Sequence, residues 1–282
     1  MAMREFSERD LDDGMEALID EFLTGSGVLV LRNAFAADQV AEARDLILRY
    51  SEGPDTATHF QGANADTLHL QRRVWNLLNK GDVFVEMVQH PTVCAVTGAI
   101  LGSAFKLGSI AANRLLPGGP GQEPHIDYPY WDFHRRNEFP ARMNSSFAMN
   151  LQATILLDPF TDTNGATAFL PGSQQDLTYP HDPERFFATC ARMTGEPGDV
   201  VLFNGMVHHC AMPNQADHDR IGVLIEYLPK FIIQLEDQIR GVDPAIQATA
   251  SPMLRQLIGV DYQFPELLDE AEAGNTEGVN AG

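Results

Sequence analysis

Apolar positions recur at helical spacing over the first hundred residues and at strand spacing after them. In "DLDDGMEALIDEFLTGSG", Leu11, Met15, Leu18, Ile19 and Phe22 share one helical face, which predicts a single amphipathic helix ended by Gly25 or Gly27. "VLVLRNAF" reads as a short buried strand and "AADQVAEARDLILRY" as a second amphipathic helix. Residues 51–67 mix Gly, Pro, Asp and Thr without a period and read as a loop. "DVFVEMVQHPTVCAVTGAILG" has a helical pattern broken near Pro91. After Phe105, short apolar runs alternate with Gly/Pro/Asn/Asp turns: "FKLGSIAANRLLPGG", "SSFAMNLQATILLDPF", "ATAFLPGS", "ARMTGEPGDVVLF" and "RIGVLIEYLP". Short strands at that spacing predict a β-sandwich or barrel. Near the end, "SPMLRQLIG" has Ser251 as N-cap, Pro252 at the first helical position and Gly259 beyond the last. "ELLDEAEAGNTEGVNAG" is acidic and rich in Gly and Asn, and reads as a frayed tail.

Composition narrows the picture. Of 282 residues, 44% are hydrophobic, enough for a substantial core. No apolar run approaches the roughly 20 residues of a membrane span. The opening "MAMREFSERD" lacks the apolar stretch of a secretory signal, so a soluble, cytoplasmic protein is expected. Cys94, Cys190 and Cys210 have no close spacing, which argues against a disulfide framework and a Cys-based zinc site. The net charge is −20 and the only lysines are Lys80, Lys106 and Lys230. Such a chain repels a phosphate backbone, so a nucleic-acid partner is not expected.

The candidate chemistry starts in "PGQEPHIDYPYWDF". Near a strand end, His125 and Asp127 point to one face roughly 7 Å apart, and their side chains can converge on one ion. Alone the pair is either a chelate or nothing. A second segment is "GEPGDVVLFNGMVHHCAMPNQADHDR". Gly198 and Asp199 form a turn, a strand runs through Phe203, and His208 and His209 follow. Strand alternation sends these two imidazoles to opposite faces, so only one can join a metal group. Arg220 opens the next strand pattern, eleven residues after His209.

These pieces together resemble the phytanoyl-CoA dioxygenase family of Fe(II)/2-oxoglutarate oxygenases. Gly198–Asp199, His209, Asn214 and Arg220 match the family's intervals for the turn, the iron ligand, the downstream Asn and the 2-oxoglutarate Arg. "TNGATAFLPGS" (Asn164, Gly165, Pro171, Gly172, Ser173) matches the segment between the ligands, with Gln174 where the family usually has His. "GVLVLRNAF" resembles the opening strand, and the likeness runs from about Gly27 to Pro229. It implies a double-stranded β-helix (jelly-roll, cupin-like) core with flanking helices. The chain then divides into a mostly helical 1–104, the jelly-roll core 105–230, C-terminal helices 231–264 and the tail 265–282, all one oxygenase domain.

The resemblance implies His125, Asp127 and His209 as iron ligands, the interval to Arg220 selecting His209 over His208. Two imidazoles and a carboxylate hold Fe(II) on one face and leave three positions open. 2-Oxoglutarate takes two and O2 the third. Oxidative decarboxylation gives succinate, CO2 and an oxidant that takes hydrogen from a nearby C–H. Arg220 offers a planar fork for the distal carboxylate. Related halogenases put Gly or Ala at the carboxylate position, so Asp127 points to hydroxylation or another oxidation.

Other candidates are softer. Asn113 and Gln152, on strands entering and leaving the His125–Asp127 loop, can touch 2-oxoglutarate or make ordinary barrel hydrogen bonds. Tyr128 and Trp131 can wall the substrate pocket, with Asn204 and Met206 behind them. Arg73 matches a basic family position near the 2-oxoglutarate carboxylate, but a surface salt bridge is the expected role. His208 is expected at the surface or in the pocket wall, and His59, His69, His90, His134, His181 and His218 as structural or solvated. A coenzyme A thioester would need a Lys/Arg cluster, so a free small molecule is the expected substrate: a natural-product intermediate or an amino-acid-like metabolite. The rival readings are a metal-dependent cupin-like isomerase or epimerase and a non-enzymatic jelly-roll binding protein.

Overall fold

The computed structural model describes residues 3–52, 65–127, 148–176 and 178–261. Tyr128, Trp131, His59, His134 and the tail lie outside them, as does most of the 51–67 segment.

Seven strands build the main sheet: β1 (Arg4–Phe6), β2 (Val28–Leu31), β3 (Gln71–Val74), β4 (Lys106–Leu115), β5 (Leu151–Leu156), β8 (Val200–Asn204) and β10 (Arg220–Leu228). Their order is β1-β2-β8-β5-β10-β4-β3. β1 runs parallel to β2, and the other neighbours pair antiparallel. β6 (Ala168–Phe169), β7 (Ala191–Arg192) and β9 (His209–Cys210) form a second sheet in the order β7-β6-β9. This is a jelly-roll core of two unequal sheets, with the larger one open rather than closed into a barrel.

Period-two alternation gives the main sheet two different faces. Leu29, Leu31, Leu151, Ala153, Ile155, Val200, Leu202, Ile221, Val223 and Ile225 point outward into one large apolar core. Helices α2 (Met15–Leu23), α3 (Ala37–Tyr50), α4 (Asp82–Met87) and α5 (Pro91–Leu101) cover that face, contributing Phe22, Ile47, Phe84 and Val96. The alternate residues point inward: Ser109, Ala111 and Asn113 from β4, Gln152 and Thr154 from β5, Arg220 and Leu224 from β10. Buried strands with polar side chains on their inner face are the physical basis of the site.

Two expectations are revised. The first helix is interrupted: α1 (Asp10–Asp13) stops at Gly14, whose N–H donates to the Asp10 carbonyl, and α2 begins at Met15. Glycine loses more backbone entropy in a helix than any other residue, so the break falls there. "QRRV" is a strand that the apolar pattern did not mark; its side chains Gln71 and Arg73 are polar and face inward with their Leu115 and Asn113 partners. After β10 the chain runs without helix from Pro229 to Asp237. α7 (Gln238–Gly241), α8 (Pro244–Ala248) and α9 (Pro252–Ile258) follow. α9 has the expected caps: Ser251 Oγ accepts the Leu254 N–H, and Gly259 ends it at φ +90°. α6 (Pro183–Thr189) completes the elements, capped by Asp182.

Candidate functional site

His125 and His209 come from segments 84 residues apart yet lie side by side, because their backbones form a β-bridge with both N–H···O bonds at 2.9 Å. The Asp127 N–H donates to the Gly205 carbonyl at 2.8 Å, fixing the turn that carries the carboxylate. The three side chains converge. His209 Nε2 is 3.3 Å from Asp127 Oδ2, His125 Nε2 is 3.7 Å from Asp127 Oδ1, and one ligand atom from each residue fits within 4.8 Å of the others. Among the described residues this is the one group of three or more such side chains.

The imidazole tautomers suit a metal. His125 Nδ1 lies 2.7 Å from the Glu123 carbonyl and His209 Nδ1 lies 2.9 Å from the Val207 carbonyl. Each Nδ1 therefore donates a proton to its carbonyl, and Nε2 is the ring atom that faces the shared point. Burial, with His209 next to it, pushes His125 down to about 4, so its imidazole is neutral at ordinary pH. Burial opposes ionised Asp127, but the two imidazoles outweigh it and hold the carboxyl below its usual range. Burial likewise opposes His209, yet Asp127 raises it above its ordinary value. A proton shared by His209 and Asp127 is what a divalent cation would displace.

His208 is turned away. Its Nε2 is 2.9 Å from the Thr178 carbonyl, it is buried, and it lines no part of the cavity. It is neither surface nor pocket wall, because the strand alternation that aims His209 inward aims His208 at the neighbouring loop. The "PGS" segment sets this register: the His208 N–H donates to Ser173 Oγ at 2.8 Å, and the Leu170 N–H donates to the His208 carbonyl at 2.9 Å. Gln174, at the position where the resembled family has His, is fully buried and donates to the Gly25 carbonyl at 3.1 Å. It ties the end of α2 to this segment.

The three converging residues open onto a cavity of about 100 Å³. Arg220 lies in its wall, 2% exposed, with its guanidinium 4.4 Å from the Phe160 ring centre. Its Nε and Nη2 have no hydrogen-bond acceptor among the described residues. Burial lowers Arg220 to about 10, still protonated at neutral pH. A buried cation with two orphaned donors is costly unless a ligand accepts from it. Asn113 and Gln152 both line the cavity, and Asn113 Oδ1 is also without a partner among the described residues. Asn204 and Met206 do not line it: Asn204 Oδ1 accepts the Met206 N–H at 3.0 Å, and Met206 packs on Ile126 and Tyr179.

Arg73 is the main correction. It is not at the surface: it is 8% exposed and lines the cavity. Burial, and then repulsion from Arg220, lower it to about 9, with Asp127 pulling the other way. The signal was weak because "LQRRVWNLLN" lacks an apolar alternation to mark Arg73 as an inward strand position. Gln122, Thr154, Thr167, Trp75 and Leu235 also line the cavity and were not singled out from the sequence. Asn214, by contrast, is structural. Its side chain donates to the Leu115 and His218 carbonyls and accepts the Ala216 N–H, closing the turn between β9 and β10.

Comparisons with known proteins bear on the family and the fold. The model of the family described as phytanoyl-CoA dioxygenase (PhyH) matches residues 23–222. The chain is 25% identical over 248 residues to "Dioxygenase trt7" of Aspergillus terreus, covering 85% of this chain and 82% of the relative. The fold is shared with HygX from Streptomyces hygroscopicus, solved with nickel and 2-oxoglutarate bound (TM-score 0.56, 17% identity, 78% of this chain and 88% of that one). It is shared too with the epimerase SnoN, solved with Fe3+, alpha ketoglutarate and nogalamycin RO (TM-score 0.58, 18% identity, 76% and 83%).

Proposed function

The chain belongs to the phytanoyl-CoA dioxygenase family, and from that premise we propose that it is an Fe(II)- and 2-oxoglutarate-dependent oxygenase that oxidises a C–H bond of a small molecule. One observation carries the reading: a group of two imidazoles and a carboxylate shares a cavity with a buried arginine whose donors await an acceptor. His125 Nε2, Asp127 and His209 Nε2 would hold the iron on one face. Arg220 would bind the distal carboxylate of 2-oxoglutarate through Nε and Nη2, a pair of donors set for a bidentate acceptor. Asn113 and Gln152 are polar neighbours within reach of the same cosubstrate, and Arg73 adds a second positive charge.

The electrostatics favour this assignment. With the proton of His209 displaced by a metal and both imidazoles neutral, the described ionised side chains of the lining are Arg73, Arg220 and Asp127, a net charge of +1 inside a chain of −20. A divalent cation raises that further, and a dicarboxylate then neutralises most of it. Bound iron with 2-oxoglutarate and O2 supplies the oxidising power, the coupled products being succinate and CO2. The residues' own work is to bind, orient and exclude water: the Phe160 ring covers one face of Arg220, and Phe203 packs edge-on against His209 at 5.0 Å.

Oxidation with retention of an oxygen atom and inversion of a stereocentre both begin with hydrogen abstraction, and SnoN is named an epimerase. Asp127 at the carboxylate position argues against halogenation and favours hydroxylation or another oxygen-dependent oxidation. The test is anaerobic titration with Fe(II), then 2-oxoglutarate, watching for the visible metal-to-ligand band. Growth of the band only with both, followed by O2-dependent succinate, is expected. Metal binding with no response to 2-oxoglutarate would point to a metal-dependent isomerase, and no metal binding to a non-enzymatic binding protein.

A further inference from the structure

The segment after β10 is amphipathic in the wrong sense for a solvent-facing strap. Its even-numbered polar residues point into the protein. Gln234 Nε2 donates to the Leu107 carbonyl at 2.6 Å. Glu236 accepts the Ile110 N–H at 2.7 Å and the Asn76 N–H at 3.2 Å, and its own N–H donates to the Gly108 carbonyl at 3.0 Å. Gln238 is buried and donates to Glu236 at 3.4 Å. The odd-numbered apolar residues point out: Ile233 is 91% exposed, Leu235 49% and Ile239 51%. β3 pairs β4 only from Leu115 to Ala112, so the strap occupies the edge of β4 where β3 has ended. That placement puts Leu235 into the lining of the metal cavity, with Trp75 and Ala111.

Apolar side chains held outward by a polar underside are costly to leave in water, and such patches mark a binding surface. Continuity with the cavity through Leu235 says what covers this one. The lining also limits the ligand's charge. Among the described residues, its ionisable groups are Arg73, Arg220, His125, Asp127 and His209, all assigned to the metal and to 2-oxoglutarate. Asp127 is the one described carboxylate of the lining, so none is left for the ammonium of a zwitterion.

We propose that residues 233–239 form the recognition wall for the substrate, and that this substrate is a hydrocarbon-rich small molecule rather than an amino-acid-like one. The inference rests on the oxygenase reading above. Leu235 holds the apolar face of the substrate at the cavity mouth, Ile233 extends that contact outward, and Glu236 positions both by fixing the strap to β4.

The experiment uses the full chain loaded with Ni(II) and 2-oxoglutarate, and Nile red, a neutral apolar dye, as the probe. Dye binding by fluorescence is expected, weakened about tenfold or more in the double variant Ile233→Asn/Leu235→Asn, as the loss of one to two buried aliphatic contacts predicts. Ile233→Asn alone, at a side chain almost fully in solvent, gives a smaller loss with no folding penalty. L-Phenylalanine at millimolar concentration is expected not to displace the dye. Absent dye binding, equal affinity in wild type and double variant, or displacement by phenylalanine would overturn the proposal. So would light scattering that shows a wild-type dimer dissociated by the double variant, since the strap would then be an interface between copies. The Fe(II)–2-oxoglutarate band separates the two failures. Its absence in wild type sinks the oxygenase reading; its presence in every variant, with dye binding insensitive to the strap, sinks only the substrate class.

Discussion

His209 and His208 differ by one position and by everything else that matters to a metal. His209 presents Nε2 to Asp127, while His208 presents Nε2 to the Thr178 carbonyl. His125→Ala, Asp127→Ala and His209→Ala should each abolish turnover and weaken Fe(II) binding, whereas His208→Ala should keep the iron and lose only stability. Fe(II) affinity measured anaerobically checks this; iron retained by His209→Ala and lost by His208→Ala would refute the geometry. Arg220 is the second residue to test. Each charge-assisted hydrogen bond contributes roughly 1.5–3 kcal/mol, so Arg220→Ala should weaken 2-oxoglutarate by about one to three orders of magnitude. Arg220→Lys should recover only part, because an ammonium lacks the planar fork. Binding of Fe(II) without cosubstrate should stay near the wild-type level. These positions were legible as residue types at telling intervals, and their convergence is a matter of backbone pairing between His125 and His209.

At the scale of elements, short turns hold the site in register. Gly198 takes φ +93°, where a Cβ would sit 2.5 Å from the Phe35 carbonyl oxygen, so only glycine fits the turn before β8. The next residue, Asp199, is 2% exposed and accepts the Asn33 N–H, the Glu196 N–H and Arg32 Nη1. It joins β2 to the turn that launches β8, the strand leading to His209. Asp199→Ala leaves two backbone donors without their acceptor, and should cost about 1–3 kcal/mol. Denaturant unfolding measures that cost, and a change within error would show that the Gly-Asp turn is not a structural joint. The interrupted first helix and the unmarked β3 have the same lesson. Apolar periodicity reports on faces that meet the core, and it says little where a glycine breaks a helix or an inward face is polar.

For the whole molecule, the arrangement is a large apolar core on one face of the main sheet and, on the other, a smaller apolar cluster beside a cavity that holds Arg73, Arg220 and Asp127. Among the described residues no helix is long and apolar enough to cross a membrane. Because the native state holds the proposed ligands and the unfolded chain does not assemble the site, binding should raise stability. At a free concentration 100 times Kd, 2-oxoglutarate in the presence of Ni(II) should add about 2.7 kcal/mol. Thermal or denaturant unfolding with and without both ligands is the measurement. Arg220→Ala should lose the 2-oxoglutarate increment and keep that of the metal; an equal increment in the variant would argue that the cosubstrate binds elsewhere.

The sequence by itself determined the chain of strands after Phe105, most helices before it, the capped α9 and the family motifs. Each rests on local spacing: period two, period 3.6, a capping residue or a fixed interval. Only the tertiary structure decided what depends on which strands meet. The pairing of β3 with β4 turns Arg73 from an expected surface residue into a cavity residue. The "PGS" segment, through Ser173, directs His208 to Thr178. The strap after β10 inserts Leu235 into the cavity wall because β3 stops short of the β4 edge. Such contacts join residues tens to more than a hundred positions apart. A one-dimensional pattern records which face a side chain takes within its own element, and not which element that face will find.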